Sequence, residues 1–315
     1  MSSLKNAINA ALKSYFDLKK HEKFLVVYDI KKEKLAKYVF EESKKYTDFT
    51  KLLKIEEPKV SGEEPSSEVA EEMMQSDVIM IMTSKSLSHT KSRIKASRNG
   101  ARIASMPKIT EDMFVRTITF DYEKMKERTE RLTSILTKSK FIHITTAAGT
   151  DLKMDTSGRQ GFGGILLREK GDFHNLPCGE ASLSPNEGTT NGVLVVDASF
   201  LEKVDEPIRL VIKDGYAIEI KGGEVASKLK KELDSVNDKD AYAVAELGIG
   251  TNDKAKVIGK ILEDEKVLGT AHVALGNNLS YHGKLSVPIH LDGVFYKPTI
   301  IVDNVIIIEK GKFLI

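Results

Sequence analysis

His290-Leu-Asp292 sets an imidazole and a carboxylate two positions apart, and His272 and His282 lie shortly before them in the same C-terminal stretch. On a strand, that spacing turns both side chains of the pair to one face. The surrounding VPIHLDGVF is apolar, and a His and an Asp on an apolar strand need partners, because burying polar groups bare is costly. A metal ion is one such partner, since imidazole nitrogen and carboxylate oxygen both ligate divalent metals. A His–Asp hydrogen bond on a surface strand is the other.

Three further segments carry related chemistry. HNLPCGEASLSPNEGTTNG, residues 174–192, is rich in Pro, Gly, Asn and small hydroxyl residues and reads as a long loop, a segment type that is functional or disordered in compact domains. Its Gly179-Glu180 allows a close backbone approach and points a carboxylate from a turn; Glu187 is a second carboxylate in the same loop. AVAELGIGTN embeds Glu246 in an apolar, Gly-punctuated run, where a carboxylate is paired, ligating or turned outward from an edge strand. His272, among Thr, Ala and Val, is either a satisfied core histidine or a ligand.

Other chemistries find little support. Cys178 has His174 nearby, but nothing else marks a thiol nucleophile. There is no G-x-S-x-G elbow, no H-E-x-x-H pair and no Gly-rich phosphate loop. His21, His89 and His143 read as ordinary surface or core histidines.

The elements that must position these residues differ between the two halves of the chain. Apolar runs at 24–30, 50–55 and 78–84 alternate with amphipathic stretches at 3–20, 31–46, 67–77 and 88–100, the last ending at Gly100, a residue suited to a helix C-cap. Alternation of this kind predicts βαβ units, a mostly parallel sheet with flanking helices. A long amphipathic helix is expected over 121–140, and from Phe141 onward short strands joined by turn dipeptides such as Asp214-Gly215 predict a largely antiparallel α+β domain, with helices over 224–233 and near 254–262. The expected division is an α/β domain over 1–118 and a metal-binding catalytic domain over 119–315, as suits a chain of 315 residues.

The bulk properties narrow the partners. The 48 basic and 46 acidic residues leave a net charge of only +2, which gives no basic footprint for nucleic acid. No apolar run has membrane-spanning length, and the lysine-dotted N-terminus lacks the apolar core of a signal peptide. One cysteine permits no internal disulfide. The expected setting is the cytoplasm, with a peptide or small-molecule substrate and neither membrane nor nucleic acid as partner.

Taken together, NLPCGE, AEL at Glu246, HVALG at His272 and the closing His290-x-Asp292 pair resemble, in order, the metal-binding segments of the aminopeptidase T and aminopeptidase S family of metalloaminopeptidases. The resemblance implies a two-domain homodimer binding two divalent ions (zinc, cobalt or manganese) through Glu180, Glu246, His272, His290 and Asp292. It also implies removal of N-terminal residues from peptides by a metal-activated water, with Glu187 the candidate general base. One position departs: the family's functional tyrosine, seven residues after the ligand histidine, is here Leu279, and Tyr281 is the candidate replacement. The same scaffold also resembles ring-cleaving dioxygenases that act on dihydroxypyridines with one ferrous ion, for which two histidines and a carboxylate suffice. A metal-stabilised binding protein without catalysis is the third expectation.

Overall fold

Continuous apolar runs make the central strands of the first unit. In the computed structural model, which describes residues 2–315, β1 (Lys23–Tyr28), β2 (Phe49–Lys54), β3 (Val78–Met82) and β4 (Arg102–Ser105) pair in parallel. The sheet has the order β2-β1-β3-β4-β7, its edge supplied by β7 (Phe173–Asn175). Every residue of β3 is buried, as expected of a central parallel strand covered on both faces. The helices between the strands are α1 (Ser2–Asn9, continued by a π-helical turn through Ala10–Tyr15), α2 (Glu33–Ser43), α3 (Ser67–Met74), α4 (Lys91–Arg98) and α5 (Glu111–Thr117). Three of them start on a hydroxyl cap: Ser66, Thr90 and Thr110 accept from the backbone N–H of Val69, Arg93 and Met113. Gly100 follows α4 at φ +102°, the left-handed conformation that ends a helix.

The first unit comprises the residues up to Tyr122 together with Gly164–Cys178; the second comprises Glu123–Gly163 and Gly179–Ile315. A single cut at 118/119 leaves no place for residues 164–178, which rejoin the first unit through β7.

The second unit opens with α6 (Glu123–Lys138), β5 (Phe141–Thr145), β6 (Asp151–Asp155), β8 (Glu180–Leu183), β9 (Asn191–Val196), β10 (Ser199–Phe200), β11 (Glu202–Lys203), β12 (Ile208–Lys213) and β13 (Tyr216–Lys221). It continues with α7 (Glu224–Ser235), β14 (Val244–Gly250), α8 (Ile261–Asp264), β15 (Thr270–Gly276), β16 (His290–Tyr296), β17 (Thr299–Val302), β18 (Val305–Glu309) and β19 (Lys312–Phe313). These strands form two antiparallel sheets, β13-β12-β9-β6-β5-β17-β18-β19 and β11-β10-β16-β15-β14-β8. Their inner faces share one core, in which Leu152, Leu194 and Leu210 of the larger sheet join Leu183, Leu247, Val273 and Phe295 of the smaller. The expected α/β plus largely antiparallel α+β architecture is what the chain forms.

Two local expectations change. Residues 174–192 are not loop throughout: Ala181 and Leu183 pack into the apolar core, and pairing with β14 makes Glu180–Leu183 a strand with Glu180 at its start. The helix expected near 254–262 shrinks to the single turn of α8, because Gly259 at φ +79° interrupts it. Among the described residues no helix is long and apolar enough to cross a membrane.

Leu247 is fully buried in the shared core. Leu247→Ala is expected to lower unfolding stability by about 2–5 kcal/mol through lost transfer energy and a residual cavity, as denaturant titration would measure.

Candidate metal centre

The smaller sheet sorts its side chains by alternation. On β15, Ala271, Val273 and Leu275 face the core, which turns His272 and Ala274 to the opposite face. On β16, Leu291 and Phe295 pack on the core, so His290 and Asp292 point the other way. β14 keeps both Val244 and Leu247 in the core, an odd spacing that regular pleating forbids. A register shift between Val244 and Glu246 resolves it; this β-bulge rotates Glu246 onto the face that carries the histidines.

Register then brings the residues together. Glu246 pairs with Ala274, and Ala274 pairs with Asp292, so one small side chain separates two carboxylates across the sheet. Gly276 pairs with His290, Gly248 with His272, and Gly250 with Glu180. Gly248 is required: a Cβ there would collide with the imidazole of His272. Gly179, at φ +117°, is similarly confined, since a Cβ would lie 2.7 Å from Cβ of Asn252 and 2.8 Å from Sδ of Met125.

All five residues expected from the sequence converge on this face. His290 Nε2 lies 2.8 Å from Glu246 Oε2 and 3.3 Å from Asp292 Oδ1. His272 Nε2 lies 3.6 Å from Glu246 Oε1 and 3.6 Å from Glu180 Oε2. Glu246, His272 and Asp292 each offer a ligand atom within 4.8 Å of the others, as do Glu180, Glu265 and His272. Glu246 and His272 are 2% and 1% exposed, so the charges here are held out of water.

The donor set fits a metal ion. His290 Nδ1 donates to the carbonyl of Asn277 at 2.7 Å, which orients the ring with Nε2 toward the carboxylates, the arrangement typical of a ligating histidine. Buried carboxylates facing one another require cations, and protonated imidazoles provide them in the absence of metal. Burial alone would lower the His272 imidazole, but the hydrogen bond and charge of Glu246, reinforced by Glu180 and Asp292, hold it up at about 9. His290 is likewise raised well above the ordinary histidine value against its own burial, by Asp292 and Glu246. Burial would raise Glu246, yet the two imidazoles hold it well below the usual carboxylate range.

A pH dependence follows. With both imidazoles held above the ordinary histidine value, a divalent cation must displace protons from these rings at neutral pH, so affinity falls as pH falls, by about tenfold per pH unit for each proton displaced. Titration calorimetry with a divalent ion at several pH values should show affinity climbing from pH 6 to 8; a flat profile would contradict the assignment of the imidazoles as ligands.

Two residues of the site escape inspection of the sequence. Lys266 is 1% exposed and its ammonium binds Glu180 and Glu265, the latter at 2.6 Å. Burial raises the Glu265 carboxyl to about 8 against the pull of Lys266, with Asp292 and Glu180 adding to the rise. The available signal was the charged triplet Asp264-Glu265-Lys266 set directly before an apolar strand.

Glu187 stands apart. It pairs with Arg159, accepts from Asn278 Nδ2 at 3.0 Å and from the Lys284 backbone N–H at 2.9 Å. Burial would raise its carboxyl, but these donors, Asn278 foremost, hold it low. It thereby anchors the segment between β15 and β16, where Tyr281 sits in a short 3₁₀ turn, Leu279–Tyr281. Tyr281 does reach the cluster: its ring stacks on His290, with centroids 6.0 Å apart, and burial together with the charges of Glu246, Glu180 and Asp292 pushes its hydroxyl well above the ordinary tyrosine value. Phe162 meets Tyr281 edge-on at 5.4 Å and His282 at 5.3 Å.

Fold and site together define a protein with a buried His–carboxylate cluster able to hold a metal ion, on the outer face of an antiparallel sheet. A family model for NicX, 2,5-dihydroxypyridine 5,6-dioxygenase, matches residues 40–315, and the chain belongs to that family. The 2,5-dihydroxypyridine 5,6-dioxygenase of Pseudomonas putida KT2440 is 24% identical over 208 residues, 60% of this chain. The match spans only 58% of that protein's length. Among solved structures, 2,5-dihydroxypyridine dioxygenase from Pseudomonas putida KT2440 superposes with a TM-score of 0.83 at 18% identity, covering 99% of this chain and 96% of that one. AmpT from Thermus thermophilus superposes at 0.76 and 14% identity, covering 100% and 99%.

These findings overturn the aminopeptidase expectation. Family and curated relative carry the name of a dioxygenase, an oxidoreductase, and neither that of a hydrolase or protease. The aminopeptidase T likeness is one of fold. The segments NLPCGE, AEL, HVALG and His290-x-Asp292 report a scaffold and the positions it presents, and one scaffold hosts more than one reaction.

Proposed function

We propose that the chain is a mononuclear non-haem iron dioxygenase acting on a small dihydroxylated aromatic ring of the 2,5-dihydroxypyridine type, with His272, His290 and Asp292 as metal ligands. The observation that carries this reading is the convergence of two imidazoles and a carboxylate on one sheet face in a chain of this family. Such a ligand set leaves coordination positions open for substrate and dioxygen, as ferrous oxygenases require. When bound, iron supplies the redox chemistry toward dioxygen that amino-acid side chains lack.

The chain's own residues then have definable tasks. Asn277 holds the His290 ring through Nδ1. Glu246 faces both imidazoles and keeps the two rings aligned. Phe162, Tyr281 and His282 put aromatic surface beside His290, and a flat ring packs favourably against such surface by edge or offset contact. Glu187 keeps its grip on Arg159 and Asn278, a positioning task and not that of a base.

The test is oxygen uptake by protein loaded anaerobically with ferrous iron and given 2,5-dihydroxypyridine. Oxygen consumption in step with loss of the ring's ultraviolet absorbance is expected. Iron-loaded protein that consumes no oxygen with this or related dihydroxylated rings would refute the reading.

A further inference from the structure

We propose that the ammonium of Lys266 occupies the place of a second metal ion, so that this scaffold is locked to a single metal by one of its own side chains. The inference rests on the metal-centre reading above and deepens it.

Two groupings of ligand atoms share His272: one with Glu246 and Asp292, the other with Glu180 and Glu265. A face with two such groupings could take two cations. The second grouping, however, is already served. Lys266 Nζ lies 2.6 Å from Glu265 Oε1 and also binds Glu180 Oε1, so the same ammonium spans both carboxylates of that group. The lysine is 1% exposed, so its ammonium is held by the oxygens of these two acids and not by water. Its position is fixed by the chain: it directly precedes β15 by way of a turn in which Lys266 N–H donates to Glu263 and Thr270 N–H to Val267. The Asn252 N–H donates to the Lys266 carbonyl at 2.8 Å, tying that turn to the end of β14.

A divalent ion entering the second grouping would need the oxygens that Lys266 holds and would sit against a fixed positive charge. Among the described residues the first grouping meets no such lysine; the cations beside it are imidazoles, which give up their protons to a metal. Glu180 is then half committed. Oε1 belongs to Lys266, while Oε2 faces His272 Nε2 at 3.6 Å, so Glu180 orients a metal-ligand ring without ligating.

Metal counting decides it. The full-length chain is loaded with Co2+, freed of loose ions by gel filtration, and analysed for metal per chain, in parallel with Lys266→Gln and Lys266→Ala. Lys266→Gln keeps a hydrogen-bonding side chain between the two carboxylates and removes the charge, so it guards against failure of Lys266→Ala to fold. The wild type is expected to hold one ion and the variants two, with the second ion lost again when Glu265→Gln is added. Two ions in the wild type, or one in both folded variants, would overturn the inference and leave the metal centre standing. No ion in the wild type would overturn the metal-centre reading itself.

Discussion

His290→Ala is expected to strip the protein of tightly bound metal and to lower ring cleavage by about a thousandfold or more. A catalytic metal supplies several kcal/mol of stabilisation, and each 1.4 kcal/mol is about a factor of ten. His290 is the most connected group of the site: Nδ1 is fixed by the Asn277 carbonyl, and Nε2 faces Glu246 at 2.8 Å and Asp292 at 3.3 Å. Its removal deletes a proposed ligand and leaves two carboxylates facing each other with one fewer cation, so the metal-free variant should also be less stable. His89→Ala, at an exposed position of the first unit, should leave metal content and turnover unchanged. Equal metal in the two variants, measured by elemental analysis on protein of native circular dichroism, would refute the ligand assignment.

The second large effect comes from a residue with no side chain. Gly248 lies across from His272 in the β14–β15 pair, and a Cβ there would run into the imidazole at Nε2, Cε1 and Cδ2. Gly248→Ala must therefore move a ligand ring. Leu247 and Ile249 on the opposite face keep their core contacts, so the thermal midpoint should change little. A misplacement on the order of 1 Å at a reacting centre costs about a hundredfold, and both metal affinity and turnover should fall by that order. Calorimetric metal titration showing wild-type affinity for Gly248→Ala would contradict the close seating of the His272 ring over this glycine.

Much of the architecture was legible because burial follows period. Continuous runs such as Val78–Met82 became buried parallel strands, and the alternating segments after Phe141 became antiparallel ones. Gly100 acted as its residue type suggests. The convergence of Glu180, Glu246, His272, His290 and Asp292 was legible from matched segments, because those segments encode where the scaffold presents side chains. Three features were not. The bulge that turns Glu246 outward depends on pairing with β15, which no local pattern displays. Glu180 looked like a turn carboxylate because the Pro and Gly around it masked the short Glu180–Leu183 strand. Lys266 and Glu265 show no partner in sequence beyond each other, and only the third dimension reveals their contact sealed beside Glu180.

The reaction was misread for a related reason. The matched segments belong to a fold shared by AmpT and a dihydroxypyridine dioxygenase, so they could not discriminate hydrolysis from oxygenation. The residue that pointed away from peptidase chemistry was Leu279, half exposed where the aminopeptidase family places its tyrosine. The tyrosine that does approach the cluster, Tyr281, stacks on His290, an arrangement that offers a flat ring an aromatic wall.

The most direct test is a crystal of the iron-loaded protein, with anomalous scattering collected at the iron edge. One peak per chain is expected, at about 2.0–2.2 Å from Nε2 of His272, Nε2 of His290 and a carboxylate oxygen of Asp292. A peak elsewhere in the chain, or iron bound without these three groups around it, would contradict the account.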